Sequence, residues 1–538
     1  MASKCFKMSA TVLSIALAVT SLTACGGNKV QNDGKGADVV LNGDKIYPIQ
    51  CDDTLSFWFP SDNIWQQQYS DFADTPIGKK IEKETGIKVE YILPTAGQEN
   101  EQFQVLLASD ELPDIVSNNW SSFAGGPDQA IEQKYIYELD EIIDKYAPAY
   151  KKVLEEHPDW DKQVKSSSGK YYAFTPFSQG GILSVSLGPV IRNDILAKLN
   201  LEKPTTIDEW ETVLAAFKDK AGMKVPWAGG FTTLIETFAP AYGIYFEWYH
   251  DDGTVKYGPA QPQYKEFLQK MNRWYKKGYI DHDFAVEDGN RDVANMLNGT
   301  SGATLAWAGS GLGAWLETNK GKEYDLEGTM YPAMKKGQIA EYSSLSSQVN
   351  KTGMVAISKN CKNIELAARF LDYGYTTDGH NVLNFGIEGE SYNWIEKDGE
   401  KFPQYTDLIL NNPDGLTISN MIALYCRAGH VNIPMIQDVN YIKQYYQLDQ
   451  QKNAQQLWVQ TNMNNHLLPI IYLNPDETDE DSNIMSSVKT YIDEMSLKFI
   501  VGTESLDNFE AYIAKLEELG LNKAIKSRQE AYNRALKG

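Results

Sequence analysis

Between residues 54 and 120 short apolar runs alternate with amphipathic stretches, and this alternation constrains the fold more than any other feature of the chain. Thr54 to Phe59 reads as a strand. Ile77 to Thr85 repeats apolar side chains at helical spacing and is closed by Gly86, the residue type that ends a helix in the left-handed region without a Cβ penalty. Val89 to Leu93 is a second strand and Glu101 to Ala108 a second helix. Pro113-Asp114-Ile115-Val116 then leads into a buried strand that ends at Ser117-Asn118-Asn119-Trp120. Two such strand-helix-strand steps predict parallel sheets and an α/β class. No internal repeat or low-complexity tract interrupts the pattern before the acidic run Asp476 to Asp481, which reads as a solvated loop.

The first residues are set apart from this fold. Lys4 and Lys7 precede an almost uncharged apolar run, Met8 to Leu22, which ends at Leu22-Thr23-Ala24-Cys25-Gly26-Gly27. The run is shorter than the ~20 residues of a transmembrane helix, and small residues stand just before the cysteine. Residues 1–24 are therefore expected to be a bacterial lipoprotein signal peptide, with Cys25 as the lipidated mature N-terminus. Each buried methylene of the lipid contributes roughly 0.8 kcal/mol, so two or more chains hold a protein on a membrane. Residues 25–49, polar and rich in Gly, Asn and Asp up to about Asp44, read as a flexible tether. No other run of 18 apolar residues follows. Membrane contact is expected through the anchor only, on the extracellular face of a bacterial cell membrane.

With 538 residues, 42% of them hydrophobic and 12% aromatic, the chain has material for two or more domains around a large core. The net charge of −22 becomes two units more negative once Lys4 and Lys7 leave. Such a field repels polyanions and no Lys/Arg cluster offsets it locally, so nucleic acid is excluded as a partner. After Cys5 and Cys25 are accounted for, Cys51, Cys361 and Cys426 remain, compatible with one disulfide or with free buried thiols. Six histidines without His-x-x-x-His or Cys-x-x-Cys spacing give no zinc motif, and no other metal or cofactor is expected. No Gly-x-Ser-x-Gly elbow, His-Glu-x-x-His helix, Walker loop or Gly-x-Gly-x-x-Gly after a strand supports hydrolase, protease or nucleotide chemistry.

From Ser168 onward the landmarks become specific. Gly169-Lys170-Tyr171-Tyr172-Ala173-Phe174, Ile191-Arg192-Asn193-Asp194-Ile195-Leu196, Leu199-Asn200-Leu201, Pro204-Thr205-Thr206-Ile207-Asp208-Glu209-Trp210 and Ala216-Phe217-Lys218 follow one another in order. Thr205 or Thr206 can cap a helix, with Glu209 completing a capping box for Thr206, and Trp210, Val213, Leu214 and Phe217 share one face. Further on come Gly253-Thr254-Val255-Lys256-Tyr257-Gly258 before a helix, Trp274 to Asp281, an amphipathic helix from Ile364 to Tyr373 with Thr377-Asp378-Gly379 as its glycine stop, Asn384-Phe385-Gly386-Ile387-Glu388-Gly389 with Tyr392, Phe499-Ile500-Val501-Gly502, and Ala531-Tyr532-Asn533-Arg534. In this order the segments, which run from roughly Thr54 to Leu536, resemble the family 1 extracellular solute-binding proteins of ABC importers, and within them the large LplA-like lipoproteins.

The resemblance implies a two-lobe, type II periplasmic-binding-protein-like fold, with a hinge and an interlobe ligand cleft that closes on its ligand. Lobe one is expected at residues 50–180 and 355–420, lobe two at 181–354 and 421–538. It also implies a monomer that captures an oligosaccharide and delivers it to the permease subunits of an ABC transporter, without being an enzyme. Many members of the subgroup carry a calcium loop after Ala-Phe-Lys, but here Asp219-Lys220-Ala221-Gly222-Met223-Lys224-Val225-Pro226 holds too few carboxylates, so no calcium is expected there.

A sugar site combines flat aromatic platforms with planar polar side chains. The candidates lie where strands end: Trp58 and Asn63 after the first strand; Asn118, Asn119 and Trp120 after the third; Phe177 and Gln179 near the first crossover; Trp227, Trp248 and Trp307 in lobe two. Trp307 stands out because Gly302 to Trp307 resembles the strand before a ligand-facing loop. Glu388 and Tyr392 fit either a ligand contact or a loop-stabilising network. Arg192 and Asp194 read as a structural turn, and Arg427 would suffice to recognise a uronic acid if it stood in the cleft. The remaining alternatives are an exported glycan-degrading enzyme, which needs only two facing carboxylates, and a peptide- or amino-acid-binding lipoprotein on the same scaffold.

Overall fold

The computed structural model describes residues 36–536 except 44, 62, 63, 96, 287, 345, 346, 430 and 431. The signal segment, Cys25 and the first part of the tether lie outside these residues. The principal strands are β1 (Thr54–Trp58), β2 (Lys88–Ile92), β3 (Ile115–Asn118), β4 (Phe177–Ser178), β5 (Leu187–Arg192), β6 (Ala303–Trp307), β7 (Leu326–Gly328), β8 (Met354–Ile357) and β9 (Ile436–Gln437).

The first sheet has the order β8-β3-β1-β2. Strands β1, β2 and β3 are parallel, as the alternating pattern predicts, with Phe57 opposite Ile115 and Tyr91. The helices Pro76–Thr85 and Glu99–Ser109 make the two crossovers. Thr75 caps the first of them by accepting from Gly78 N at 3.0 Å, and Gly86 ends it at φ 73°. A Cβ on Gly86 would lie 2.1 Å from the Ile49 carbonyl oxygen, so the position excludes every other residue type. The last strand, β8, joins antiparallel to β3, with Met354 opposite Asn118.

The second sheet corrects the expectation of parallel strands throughout. Its order is β6-β5-β7, and both outer strands run antiparallel to β5. Parallel to each other on either side of β5, they are joined by the π-helical turn Ala308–Gly313 and the helix Ala314–Thr318. Below this sheet lies a separate core in which Trp210, Trp227, Phe238 and Trp274 meet ring to ring at 4.7 to 5.6 Å, mostly edge to face. The helix Ile207–Asp219 enters it through the capping box of Thr206 and Glu209 and buries Trp210, Val213, Leu214 and Phe217.

Three other expectations are corrected. The acidic run Asp476 to Asp481 is not a loop but the opening of the 27-residue helix Pro475–Val501. Asn474 caps it by accepting from Glu477 N at 2.9 Å, and carboxylates in a first turn are favoured by the helix dipole. Gly379 is not a helix stop: the helix Ile364–Asp372 gives way to a 3-10 turn, Tyr373–Tyr375, and Thr376 then starts the helix Thr377–Phe385 by accepting from Gly379 N at 3.0 Å. Nor is the tether free as far as residue 49. Val40–Asn42 and Lys45–Gln50 form a hairpin, Ile49 is buried, and the Tyr47 hydroxyl donates to the Arg369 carbonyl at 2.5 Å. Cys51, Cys361 and Cys426 are free thiols, the last two buried.

One buried carboxyl couples this fold to pH. Asp372, fully buried, accepts from the Tyr150 and Ala149 amides at 2.7 and 3.3 Å, at the start of the helix Pro148–Glu156. Burial raises its pKa to about 7, more than the two amides and Arg369 lower it. The unfolded chain ionises this group near 4, so between about pH 4 and 7 the folded state holds the extra proton and stability falls as pH rises. In thermal melts, the advantage of the native chain over Asp372→Asn should therefore shrink from about pH 4 to 7 and stay constant above. An advantage that grows over this window would show that the carboxylate form is the favoured one.

The two sheets are linked where three distant segments run side by side. β4 and β9 pair in parallel, Phe177 with Ile436 and Ser178 with Gln437. Against them lies the segment 347–350: Ser178 N donates to the Gln348 carbonyl at 2.8 Å and Asn350 N to the Pro176 carbonyl at 3.0 Å. The chain thus passes between the sheets at 177–178, returns at 347–350 and passes again at 436–437.

Candidate ligand-binding site

Strand ends position the site. In the first sheet the carboxyl ends of β1 and β3, at Trp58 and Asn118, share an edge with the start of β8 at Met354. In the second sheet the end of β6, Trp307, is opposite Leu187, the first residue of β5 after the crossing. Both edges therefore stand next to the crossing segments, the place where open α/β sheets bind ligands.

Trp307 is 54% exposed, the most exposed of the aromatic candidates, although Ala303, Thr304 and Ala306 of its strand are buried. It lines a cavity of about 290 Å³ with Ser186, Gly309, Ser310, Ser419, Ile422, Gly429, Tyr441, Tyr445 and Tyr446. Ser186, Trp307, Gly309 and Ser310 come from the second sheet's edge. Ser419 and Ile422 come from the helix Ile418–Tyr425, which packs on the Pro76–Thr85 helix of the first. Tyr441 and Tyr445 are one turn apart on the helix Val439–Tyr445, just past the third crossing, with ring centroids 6.3 Å apart. A Cβ on Gly309 would come within 3.0 Å of the Tyr445 ring and hydroxyl, so glycine there lets the loop after Trp307 approach the tyrosine. Burial raises the pKa of Tyr445 although a hydrogen bond with Ser419 opposes it, so the phenol stays protonated as a donor. One exposed indole, three tyrosines and three serines fit a ligand with apolar faces and a hydroxyl rim.

A second cavity, about 460 Å³, lies against the crossing segments and is lined by Phe177, Ser178, Leu183, Val349, Lys351, Thr352 and Gln437 among others. The two are neighbours: Gln437 lines the second, and its Nε2 lies 3.4 Å from the hydroxyl of Tyr441, which lines the first.

The other sequence candidates are distributed as follows. Phe177 lines the second cavity, its buried ring stacked on Trp160 at 4.6 Å. Gln179 is exposed and accepts from Val439 N at 2.9 Å, fixing the start of the tyrosine-bearing helix. Asn118 and Asn119 are half-buried at the sheet edge, Asn119 accepting from Ser121 Oγ at 2.5 Å. Trp58 is buried, and Asn63 lies outside the described residues. Trp120 is a core residue whose indole donates to the Val116 carbonyl at 3.1 Å and meets Phe103 edge-on. Trp227 belongs to the second core, and Trp248 is half-buried in the hairpin Trp248–Asp251 and Thr254–Tyr257, between Tyr257 and the guanidinium of Arg528. Glu388 and Tyr392 bridge within one loop, where the Tyr392 carbonyl accepts from Gly389 N, a loop-stabilising network. Arg192 and Asp194 form the expected turn, with two contacts of 2.7 Å. Arg427 is buried over Phe59 and Phe72 and donates to Asn432 Oδ1, away from the cleft surface. Sequence reasoning missed Tyr441 and Tyr445, whose four-residue spacing is also that of a core-facing helix stripe.

Two lobes joined by three crossings, with an aromatic and hydroxyl-lined cavity between them, define a solute-capturing protein of the binding-protein class. The chain belongs to the bacterial extracellular solute-binding protein family, whose pattern it matches over residues 66–381. It is 25% identical, over 98% of both chains, to the fructooligosaccharide ABC transporter substrate-binding protein FusA of Streptococcus pneumoniae. It is 22% identical to the polygalacturonan/rhamnogalacturonan-binding protein YtcQ of Bacillus subtilis, covering 85% of this chain and 88% of that one. Among solved structures, the alginate-binding protein AlgQ2 superimposes with a TM-score of 0.71 at 24% identity, over 89% of this chain and 98% of that one. An extracellular solute-binding protein from Bifidobacterium longum subsp. infantis gives 0.72 at 16% identity, over 90% and 99%. These are binding proteins rather than enzymes, and the structural likeness is one of fold.

Proposed function

We propose that this protein captures an oligosaccharide between its lobes and delivers it to the permease subunits of an ABC transporter. The observation that carries the reading is the exposed Trp307 lining one cavity with Tyr441 and Tyr445 beside the crossing segments. The names of FusA and YtcQ, both carbohydrate binders, point the same way. Cys25 holds the chain on the outer face of the membrane through its lipid, and the protein acts as a monomer without turnover. No helix among the described residues is long and apolar enough to cross a membrane. Lobe one comprises about 50–180 and 355–420 and lobe two 181–354 and 421–538. The packing of Arg427 on Phe59 and Phe72 supports extending lobe one to the third crossing.

Calorimetric titration of the purified protein against an oligosaccharide panel, with product analysis of the same mixtures, tests the reading. The expected result is binding on the order of micromolar, about −8 kcal/mol, with the sugar recovered intact. Shortened products in proportion to protein concentration would move the chain to the glycan-degrading class; affinity for peptides alone would move it to the peptide-binding class.

A further inference from the structure

The cavity against the crossing segments carries a cation without a partner. Lys351 stands in its wall with Ser178, Asn350, Thr352 and Gln437, and no carboxylate among the described residues lines it. Burial lowers the pKa of this ammonium, and no acidic neighbour raises it again. Three other buried or partly buried cations are matched by carboxylates: Lys270 with Glu211 at 2.9 Å, Arg192 with Asp194 at 2.7 Å and Arg528 with Asp481 at 2.6 Å. Lys359, also desolvated and without an ion pair, lies over the Tyr137 ring at 3.8 Å, whereas Lys351 stands in a cavity wall. Such a charge costs free energy unless a counter-ion arrives from elsewhere.

Its placement points to the ligand. Lys351 is three residues before Met354, which pairs with Asn118, so it stands on the sheet edge where β1 and β3 end. Thr352 donates to Asn350 Oδ1 through both its amide, at 3.0 Å, and its hydroxyl, at 2.8 Å, which holds the Lys351 loop in place. Through Gln437 this cavity adjoins the one walled by Trp307 and Tyr441. Gln437 thus connects the cavity that holds Lys351 to a tyrosine of the aromatic cavity. Since a single lysine is a point charge and no second cation lines the cavity, a monoanion fits better than a phosphate dianion.

We infer that the captured oligosaccharide carries a monoanionic substituent, a uronate carboxylate or a sulfate ester, and that Lys351 is its counter-charge. The inference rests on the sugar-capture reading and narrows its ligand class. Calorimetry would pair galacturonate, glucuronate and mannuronate trimers with their neutral methyl esters, and monosulfated trimers with their unsulfated parents. At least one charged ligand should bind tenfold or more tightly than its neutral partner, with an advantage that shrinks as salt is added. Lys351→Met, which keeps the apolar stem, should lose that advantage and bind the neutral partner as the parent does, while Lys351→Arg should retain most of it. The carboxylate and sulfate pairs show which source supplies the charge. Neutral binding with no charged advantage in any pair, or an advantage that survives Lys351→Met, overturns the inference alone. The comparison within the native protein holds even if a variant folds poorly. Absence of binding to any sugar, charged or neutral, overturns the capture reading and this inference with it.

Discussion

Trp307→Ala should bind the cognate oligosaccharide about 30-fold more weakly, equivalent to roughly 2 kcal/mol, and melt where the parent melts. The two halves of this expectation come from one fact. With 54% of its surface open, the indole contributes little to the core, so truncation leaves no cavity inside the protein. What it would lose is the indole that lines the cavity with Tyr441 and Tyr445, the proposed platform for the apolar face of a sugar ring. Titration calorimetry and thermal unfolding of the free protein read the two quantities separately. A sharply lowered melting temperature with unchanged affinity in the folded fraction would assign Trp307 to the core instead.

Trp227→Ala should do the reverse. Its ring is fully buried, meets Trp210 at 5.6 Å and Phe238 at 4.7 Å, and has no access to either cavity. Removing it leaves a void that the rigid aromatic neighbours cannot fill, so unfolding stability should fall by about 3–5 kcal/mol. The protein that remains folded should bind sugar as before. Denaturant titration with a matched binding curve checks both, and a loss of affinity at normal stability would place Trp227 in the site.

The contrast between these tryptophans marks how far the sequence reaches. Periodicity located β1 to β3 and their helices because amphipathic spacing and terminal glycines are local signals. It did not carry strand direction in the second sheet, since an antiparallel strand alternates or stays apolar just as a parallel one does. The acidic run after Asn474 reads as a loop on charge alone, whereas the Asn474 cap and the helix dipole favour carboxylates in a first turn. At the site, Trp120, Trp227 and Trp307 all follow or occupy strand-like segments, and only packing separates the exposed ring from the buried ones. Tyr441 and Tyr445 were hidden for the same reason in reverse, a spacing that fits a core helix but faces a cavity. Lys351 carried no local signal, because what distinguishes it is the absence of a carboxylate contributed by distant segments.

The triple crossing also governs the order in which the chain can be assembled. The edge of β3 at Ile115–Asn118 is closed only by β8 at Met354–Ile357, and the parallel partner of β4 appears only at Ile436–Gln437. A chain emerging from its N-terminus therefore cannot complete its first sheet until more than two hundred further residues are available, and the whole of the second sheet lies in between. Such non-local pairing incurs loop-closure entropy before contacts repay it, which slows folding. An N-terminal half of the chain therefore holds neither principal sheet complete: the first still lacks Met354–Ile357, and the second lacks Ala303–Trp307 and Leu326–Gly328.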